Sequence, residues 1–197
     1  MALQKRIHLP QRKEVPLFGF VGRLTHQKGL DILLESIEPL MRMDIQIVVQ
    51  GSGDAKYEKK FKEIPSKYKD KLGVCLVFNE DLAHQIYAGA DFLLMPSHFE
   101  PCGLSQLISL KYGTIPIVYF TGGLADTIHS FDPATGQGNG FVFKDYSSRA
   151  LVSSVERGVK LFTEKDHFPR LIKNAMLEDF SWNRSAQEYQ KLYERIL

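Results

Sequence analysis

The chain has 197 residues and a mass of 22.5 kDa, a size at which one compact domain is expected. Its 44% hydrophobic and 24% charged residues are ordinary for a globular protein, and a formal charge of +2 with scattered basic residues argues against a nucleic-acid partner. The opening segment lacks the apolar stretch of a secretory signal and no apolar run approaches a membrane span. Cys75 and Cys102 stand in unrelated contexts, so no membrane association and a reducing, cytoplasmic setting are expected.

Taken in order, residues 1–14 read as a linker or frayed segment. A strand over Leu17–Val21 leads to a helix over Gly29–Met41, in which Leu30, Ile32, Leu33, Ile37 and Leu40 share one face. Strands at Ile45–Gln50, Val74–Phe78, Phe92–Met95, Ile117–Tyr119 and Phe141–Phe143 then alternate with further helices. Those helices are expected at Ala55–Ile64, Leu82–Ala88, Leu104–Lys111, Ala125–Ser130 and Ser148–Phe162. The tail, Phe168–Leu197, reads as two more helices, the second capped by Ser181. Most strands are apolar throughout, as strands buried on both faces are. The pattern predicts an α/β chain: a single Rossmann-like, doubly wound parallel sheet over 1–197 with carboxyl-terminal helices and ligands at the strands' carboxyl ends.

Three of those strand ends carry groups suited to an anion or a sugar. After the first strand, Arg23 and Lys28 offer a guanidinium fork and an ammonium near a helix start; they either hold a phosphate or flank a solvated turn. Gly51-Ser52-Gly53-Asp54 lacks the third glycine of a dinucleotide fingerprint, where Lys56 stands, and reads as a tight turn with Asp54 capping the next helix. Phe78 either stacks on a base or joins the core. Glu100, in Pro96-Ser97-His98-Phe99-Glu100-Pro101-Cys102-Gly103-Leu104-Ser105-Gln106, either accepts from sugar hydroxyls or offsets the following helix dipole. Thr121-Gly122-Gly123-Leu124 offers a second possible N–H cradle. No Asp-x-Asp pair or histidine cluster is present, so neither metal nor cofactor is expected.

The segments Arg23-Leu24-Thr25-His26-Gln27-Lys28-Gly29-Leu30-Asp31, Phe99-Glu100-Pro101-Cys102-Gly103-Leu104 and Thr121-Gly122-Gly123-Leu124-Ala125-Asp126-Thr127 resemble the bacterial, archaeal and plant glycogen/starch synthases. So do Ala90–Ser97, Tyr112-Gly113-Thr114, Gly140-Phe141-Val142-Phe143 and Asp179-Phe180-Ser181-Trp182, so the resemblance runs from about Val15 onward. It implies the second, nucleotide-sugar-binding half of a GT-B fold. The implied chemistry is transfer of glucose from ADP- or UDP-glucose to the 4-hydroxyl of an α-1,4-glucan with retention. The resemblance further implies that Arg23 and Lys28 bind the donor's diphosphate. Glu100 would sit near its glucose, with Cys102, Gly103 and Leu104 lending backbone contacts. Ser105, Thr121, Gly122 and Gly123 would lie near the phosphates, and Phe78 against the base, where the family usually has tyrosine. Ile108 stands where the broader superfamily has a second glutamate. The family's acceptor loop and catalytic histidine belong to an amino-terminal domain absent from these residues, so the chain alone is expected to bind nucleotide without elongating glucan and to self-associate through its last helix. Two alternatives stay open: a non-catalytic sugar-nucleotide-binding module, or a related glucosyltransferase with another acceptor.

Overall fold

The computed structural model describes residues 1–64 and 66–196. Strands β1 (Leu17–Val21), β2 (Gln46–Gln50), β3 (Leu72–Cys75), β4 (Phe92–Met95), β5 (Ile115–Tyr119) and β6 (Phe141–Phe143) form one parallel sheet in the order β3-β2-β1-β4-β5-β6. The helices are α1 (Ala2–Arg6), α2 (Leu30–Met41), α3 (Ala55–Glu63), α4 (Glu80–Gly89) and α5 (Ser105–Tyr112), followed by α6 (Gly122–Thr127), α7 (Ser148–Phe162), α8 (His167–Leu177) and α9 (Trp182–Ile196). Successive side chains of a strand point to opposite faces. Leu17 and Val48 therefore meet Leu3 and Ile7 near α1 and Leu82 and Ile86 of α4, while Phe18, Phe20, Ile47 and Val49 join the larger core with Leu33, Ile37, Leu151 and Val155. Both faces are covered, which is why the strands carry few polar residues.

The chain runs outward from β1 to β3 and then returns to β4 on β1's other side. This reversal makes β1 and β4 neighbours whose following loops flank a crevice at the carboxyl rim. The doubly wound parallel sheet read from the sequence is thus the observed fold.

Four local expectations differ from the structure. Residues 1–14 are not frayed. Leu3, Ile7 and Leu9 are buried, and Gln4 Nε2 donates to Gln46 Oε1 at 2.6 Å. The third strand is Leu72–Cys75 rather than Val74–Phe78, because its ladder with β2 runs from Ile47↔Leu72 to Gln50↔Cys75 and stops. Gly73 obscured that start; Ile7 packs over it, with Cδ1 3.3 Å from where a Cβ would sit. β5 begins at Ile115, two residues early, despite Pro116. Ile115 N–H points to β4, donating to Asp91, so the proline nitrogen faces the β6 side, where pairing starts only at Ile117↔Phe141. Finally, α6 starts at Gly122 rather than Ala125, with Leu124 and Ala125 N–H both donating to Thr121 C=O. Leu197, the end of the predicted tail helix, lies outside the described residues.

Asp91 fastens the base of this frame: its N–H donates to Leu17 C=O at 2.8 Å, and its carboxylate accepts from Leu17 N–H at 2.8 Å. Burial pushes its pKa up to about 6, against the opposing pull of the Leu17 hydrogen bond. The folded chain therefore holds a proton between pH 4 and 6 that the unfolded chain releases, so this group makes stability fall as pH rises through that window. Asp91→Asn keeps an acceptor for Leu17 and removes the charge. We expect it to raise unfolding stability at pH 7 by about 1–3 kcal/mol and flatten the pH 4–6 slope, read by urea titration at each pH.

Candidate functional site

After β1 the backbone is held by the loop after β2. Leu24 is fully buried, its N–H donates to Ser52 C=O, and Asp54 N–H donates to Leu24 C=O, each at 2.9 Å. A Cβ on Gly51 would fall on the Gly22 carbonyl oxygen, and one on Gly53 would lie 2.6 Å from that of Leu24. Those glycines let two backbones touch; they do not line a phosphate loop. Asp54 stands at the cap position of α3 but makes no side-chain cap bond. Instead Glu58 Oε1 accepts from Gly53 N–H at 3.0 Å, which corrects the expected role of Asp54. With Leu24 anchored inward, Arg23 is left exposed at the rim.

The chain then makes a short 3-10 turn over His26–Lys28 and passes through Gly29 at φ 72°, where a Cβ would fall on the Pro96 carbonyl oxygen. This contact, with His98 N–H donating to Gln27 C=O at 2.9 Å and Gln27 Nε2 to Phe99 C=O at 3.1 Å, zips the β1 loop to the β4 loop. The result is an ion pair between Lys28 Nζ and Glu100 Oε2 at 2.5 Å. Glu100 is 7% exposed, and the same oxygen accepts from Ser97 Oγ at 3.1 Å. Glu100 is therefore neither a solvated helix cap nor a free carboxylate. Lys28 is not a free cation.

The remainder of that loop is set by Gln106, fully buried in α5, whose Nε2 donates to the carbonyls of Cys102 and Gly103 at 2.9 Å each. Gly103 adopts φ 76°, a left-handed conformation that suits glycine. Among the described residues, the N–H groups of Gly103 and Leu104 donate to no protein acceptor, so they are available at the start of α5. The Leu104 side chain and the Cys102 thiol are exposed. Ser105 Oγ accepts from Tyr87 O–H at 3.1 Å. The Thr121-Gly122-Gly123 turn differs from an open cradle: Gly123 N–H donates to Glu100 C=O at 3.0 Å, and Cβ atoms on Gly122 and Gly123 would fall on the carbonyl oxygens of Glu100 and Cys102. The paired glycines exist so that this turn can support the Glu100 loop. Thr121 Oγ1 donates to His98 C=O at 3.4 Å, completing the support.

Phe78 is 86% exposed, on the loop beyond β3, and is not a core residue. With Arg23, Gly22, Gln50, Gly51, Ser52 and Asn79 it lines a cavity of about 200 Å³. The rim thus has two ends, a cationic and aromatic one at Arg23 and Phe78, and a carboxylate one at Lys28, Glu100 and Gly103. Behind the second end, Tyr146 O–H donates to Asp31 Oδ1 at 2.8 Å; burial, then the Asp31 hydrogen bond and charge, push the phenol well above its usual range.

Ser97, Gln27, Gln50 and Gln106 were not singled out by sequence reasoning. The available signal was polarity inside otherwise apolar stretches, since a buried amide or hydroxyl needs a partner.

The Lys28–Glu100 contact should be measurable as coupling. In urea unfolding, Lys28→Met and Glu100→Gln should each destabilise, by about 2–4 kcal/mol for Lys28→Met, which leaves a buried carboxylate. The double variant should lose less than the sum by about 1–3 kcal/mol. Additive losses would show that the pair does not interact.

The glycosyl transferases group 1 family model matches residues 3–176. Glycogen synthase of Desulforudis audaxviator is 55% identical over 192 residues, covering 97% of this chain and 38% of that protein. Glycogen synthase of Thermosipho africanus is 50% identical over 196 residues, covering 99% and 40%. Among solved structures, the catalytic domain of Starch Synthase IV from Arabidopsis thaliana bound to ADP and acarbose superposes with a TM-score of 0.89 at 35% identity, covering 98% of this chain and 41% of that one. The chain thus spans about two fifths of the length of these relatives. With a doubly wound parallel sheet, a rim built from the loops after β1 and β4, and a family match over most of its length, the chain belongs to the glycosyl transferases group 1 family.

Proposed function

We propose that this chain is the donor-binding half of a GT-B glucosyltransferase of the glycogen or starch synthase type. The reaction is transfer of glucose from ADP- or UDP-glucose to the non-reducing 4-hydroxyl of an α-1,4-glucan, with retention at the anomeric carbon. The observation that carries this reading is the Lys28–Glu100 ion pair at the topological switch point, on the same carboxyl rim of the sheet as the cavity lined by Arg23 and Phe78. A cation and a carboxylate held side by side suit a ligand with both an anionic and a hydroxylated end, which supports this reading. The relatives' names and the ADP in the Starch Synthase IV structure support the choice of ligand.

On this reading Arg23 and Lys28 take the diphosphate and stabilise its charge as it leaves. Lys28 then shares its ammonium between phosphate and Glu100, and Glu100 accepts from glucose hydroxyls. The N–H groups of Gly103 and Leu104, with the Cys102 backbone, add donors beside the sugar. Ser105 and the Thr121-Gly122-Gly123 turn act mainly by holding the rim, and Phe78 stacks on the base. The glucan acceptor binds through a further domain outside these residues. The chain works in the cytoplasm, in keeping with two free thiols. Its last helix, α9, leaves Trp182, Tyr189, Tyr193 and Ile196 exposed and is the surface for self-association.

Calorimetric titration tests the site. ADP-glucose or UDP-glucose should bind the chain saturably, and Arg23→Ala should weaken that binding roughly tenfold or more, the loss of a charge-assisted contact. Unchanged affinity would move the diphosphate elsewhere. Incubated with donor and glycogen, the chain alone should incorporate no glucose; robust incorporation would refute the division of labour. Sedimentation velocity should show the mass average rising with concentration, and Trp182→Ser with Tyr193→Ser should abolish the rise; a monomer at every concentration contradicts self-association.

A further inference from the structure

Gln50 is the last residue of β2 and is 3% exposed. Its side chain reaches past the end of β3, where Nε2 donates to the carbonyls of Val77 and Asn79 at 3.1 Å each. Both neighbours are acceptors, which fixes the orientation of the amide: the NH₂ end must face them. Its Oε1 is then buried without a hydrogen-bond partner among the described residues. A buried, unpartnered acceptor is destabilising and offsets part of what the two donated hydrogen bonds contribute. The lasting effect of the glutamine is on the backbone that it holds.

The two carbonyls it holds flank Phe78. β3 stops at Cys75, so the segment 76–79 has no strand ladder to order it, and the Phe78 ring has almost no packing of its own. The far side of the segment is fixed by Asn79, whose Oδ1 accepts from Leu82 N–H at 2.9 Å and caps α4. Gln50 supplies the near side, and it lines the same cavity as Arg23 and Phe78.

We infer that Gln50 is a positioning residue for base recognition, holding Phe78 in place as a preformed stacking platform. The inference rests on the donor site proposed above. Its physical basis is preorganisation: a loop already ordered in the free chain does not have to be ordered by the ligand.

The test uses the 197-residue chain with Gln50→Leu, titrated separately with ADP and with inorganic pyrophosphate, alongside thermal unfolding. Tm should change little, because the loss of two hydrogen bonds is offset by removal of the unpartnered acceptor. ADP affinity should fall about five- to tenfold, the range of a partly lost stacking contact, while pyrophosphate affinity holds. In a Phe78→Ala background, Gln50→Leu should cause no further loss of ADP affinity. The inference is overturned if wild-type chain binds ADP and Gln50→Leu binds it equally well. A parallel loss of pyrophosphate, an additive loss with Phe78→Ala, or a marked fall in Tm would do the same, since each assigns Gln50 a different or merely structural role. If the wild-type chain binds neither ADP nor pyrophosphate, the donor site itself is wrong and this inference falls with it.

Discussion

Lys28 and Glu100 lie 72 positions apart in the chain, yet their charged atoms are 2.5 Å apart. They meet because β1 and β4 are hydrogen-bonded neighbours running the same way, so both strands deliver their following loops to one rim. The contact is then narrowed by glycines whose missing side chains let backbones touch: Gly29 against Pro96, Gly51 against Gly22, Gly122 and Gly123 against Glu100 and Cys102. The rim is a stack of tightly packed loops. A buried ion pair of this kind is a weak source of stability, since both charges have lost water. On the proposed function its consequence is preorganisation: the cation and carboxylate are already placed before a ligand arrives.

The glycine-rich turns of the rim are engaged in part by the protein itself. The amide of Gly123 is engaged by Glu100 C=O, and the turn after β2 is engaged by Leu24. Their role is one step removed, fixing the loops that carry Arg23, Lys28 and Glu100. Two buried glutamines extend the same principle. Gln50 and Gln106 each clasp two backbone carbonyls of a rim loop and each leave an Oε1 unpartnered. One fixes the loop of Phe78 and the other the loop of Gly103. Order at the rim is maintained at some expense to the stability of the frame beneath it.

The sheet was legible because its strands are buried on both faces and so read as apolar runs bounded by turns; β1, β4 and β6 were placed to the residue. The misplacements have physical causes. Gly73 and Pro116 are weak strand formers, tolerated because Ile7 covers the first and the ladder with β6 starts only after the second, on the side that its nitrogen faces. The first 14 residues looked unanchored since Leu3, Ile7 and Leu9 gain their meaning from β1, β2 and α4, the last about 80 residues later. At the site, residue types and loop positions could be read, but pairing could not. Nothing in the spacing says that Lys28 binds Glu100, that Glu58 accepts from Gly53, or that Gln50 reaches Val77. Those are contacts between loops distant in sequence, decided by strand order.

On the proposed function one rim, from Phe78 and Arg23 to Lys28 and Glu100, receives a nucleoside diphosphate sugar. An amide NMR titration of the chain with ADP tests this most directly. Saturable shifts confined to residues 22–29, 50–53, 77–79, 97–105 and 121–123 are expected. Shifts centred instead on the groove between α2 and α3, around Lys56 and Lys60, would contradict it.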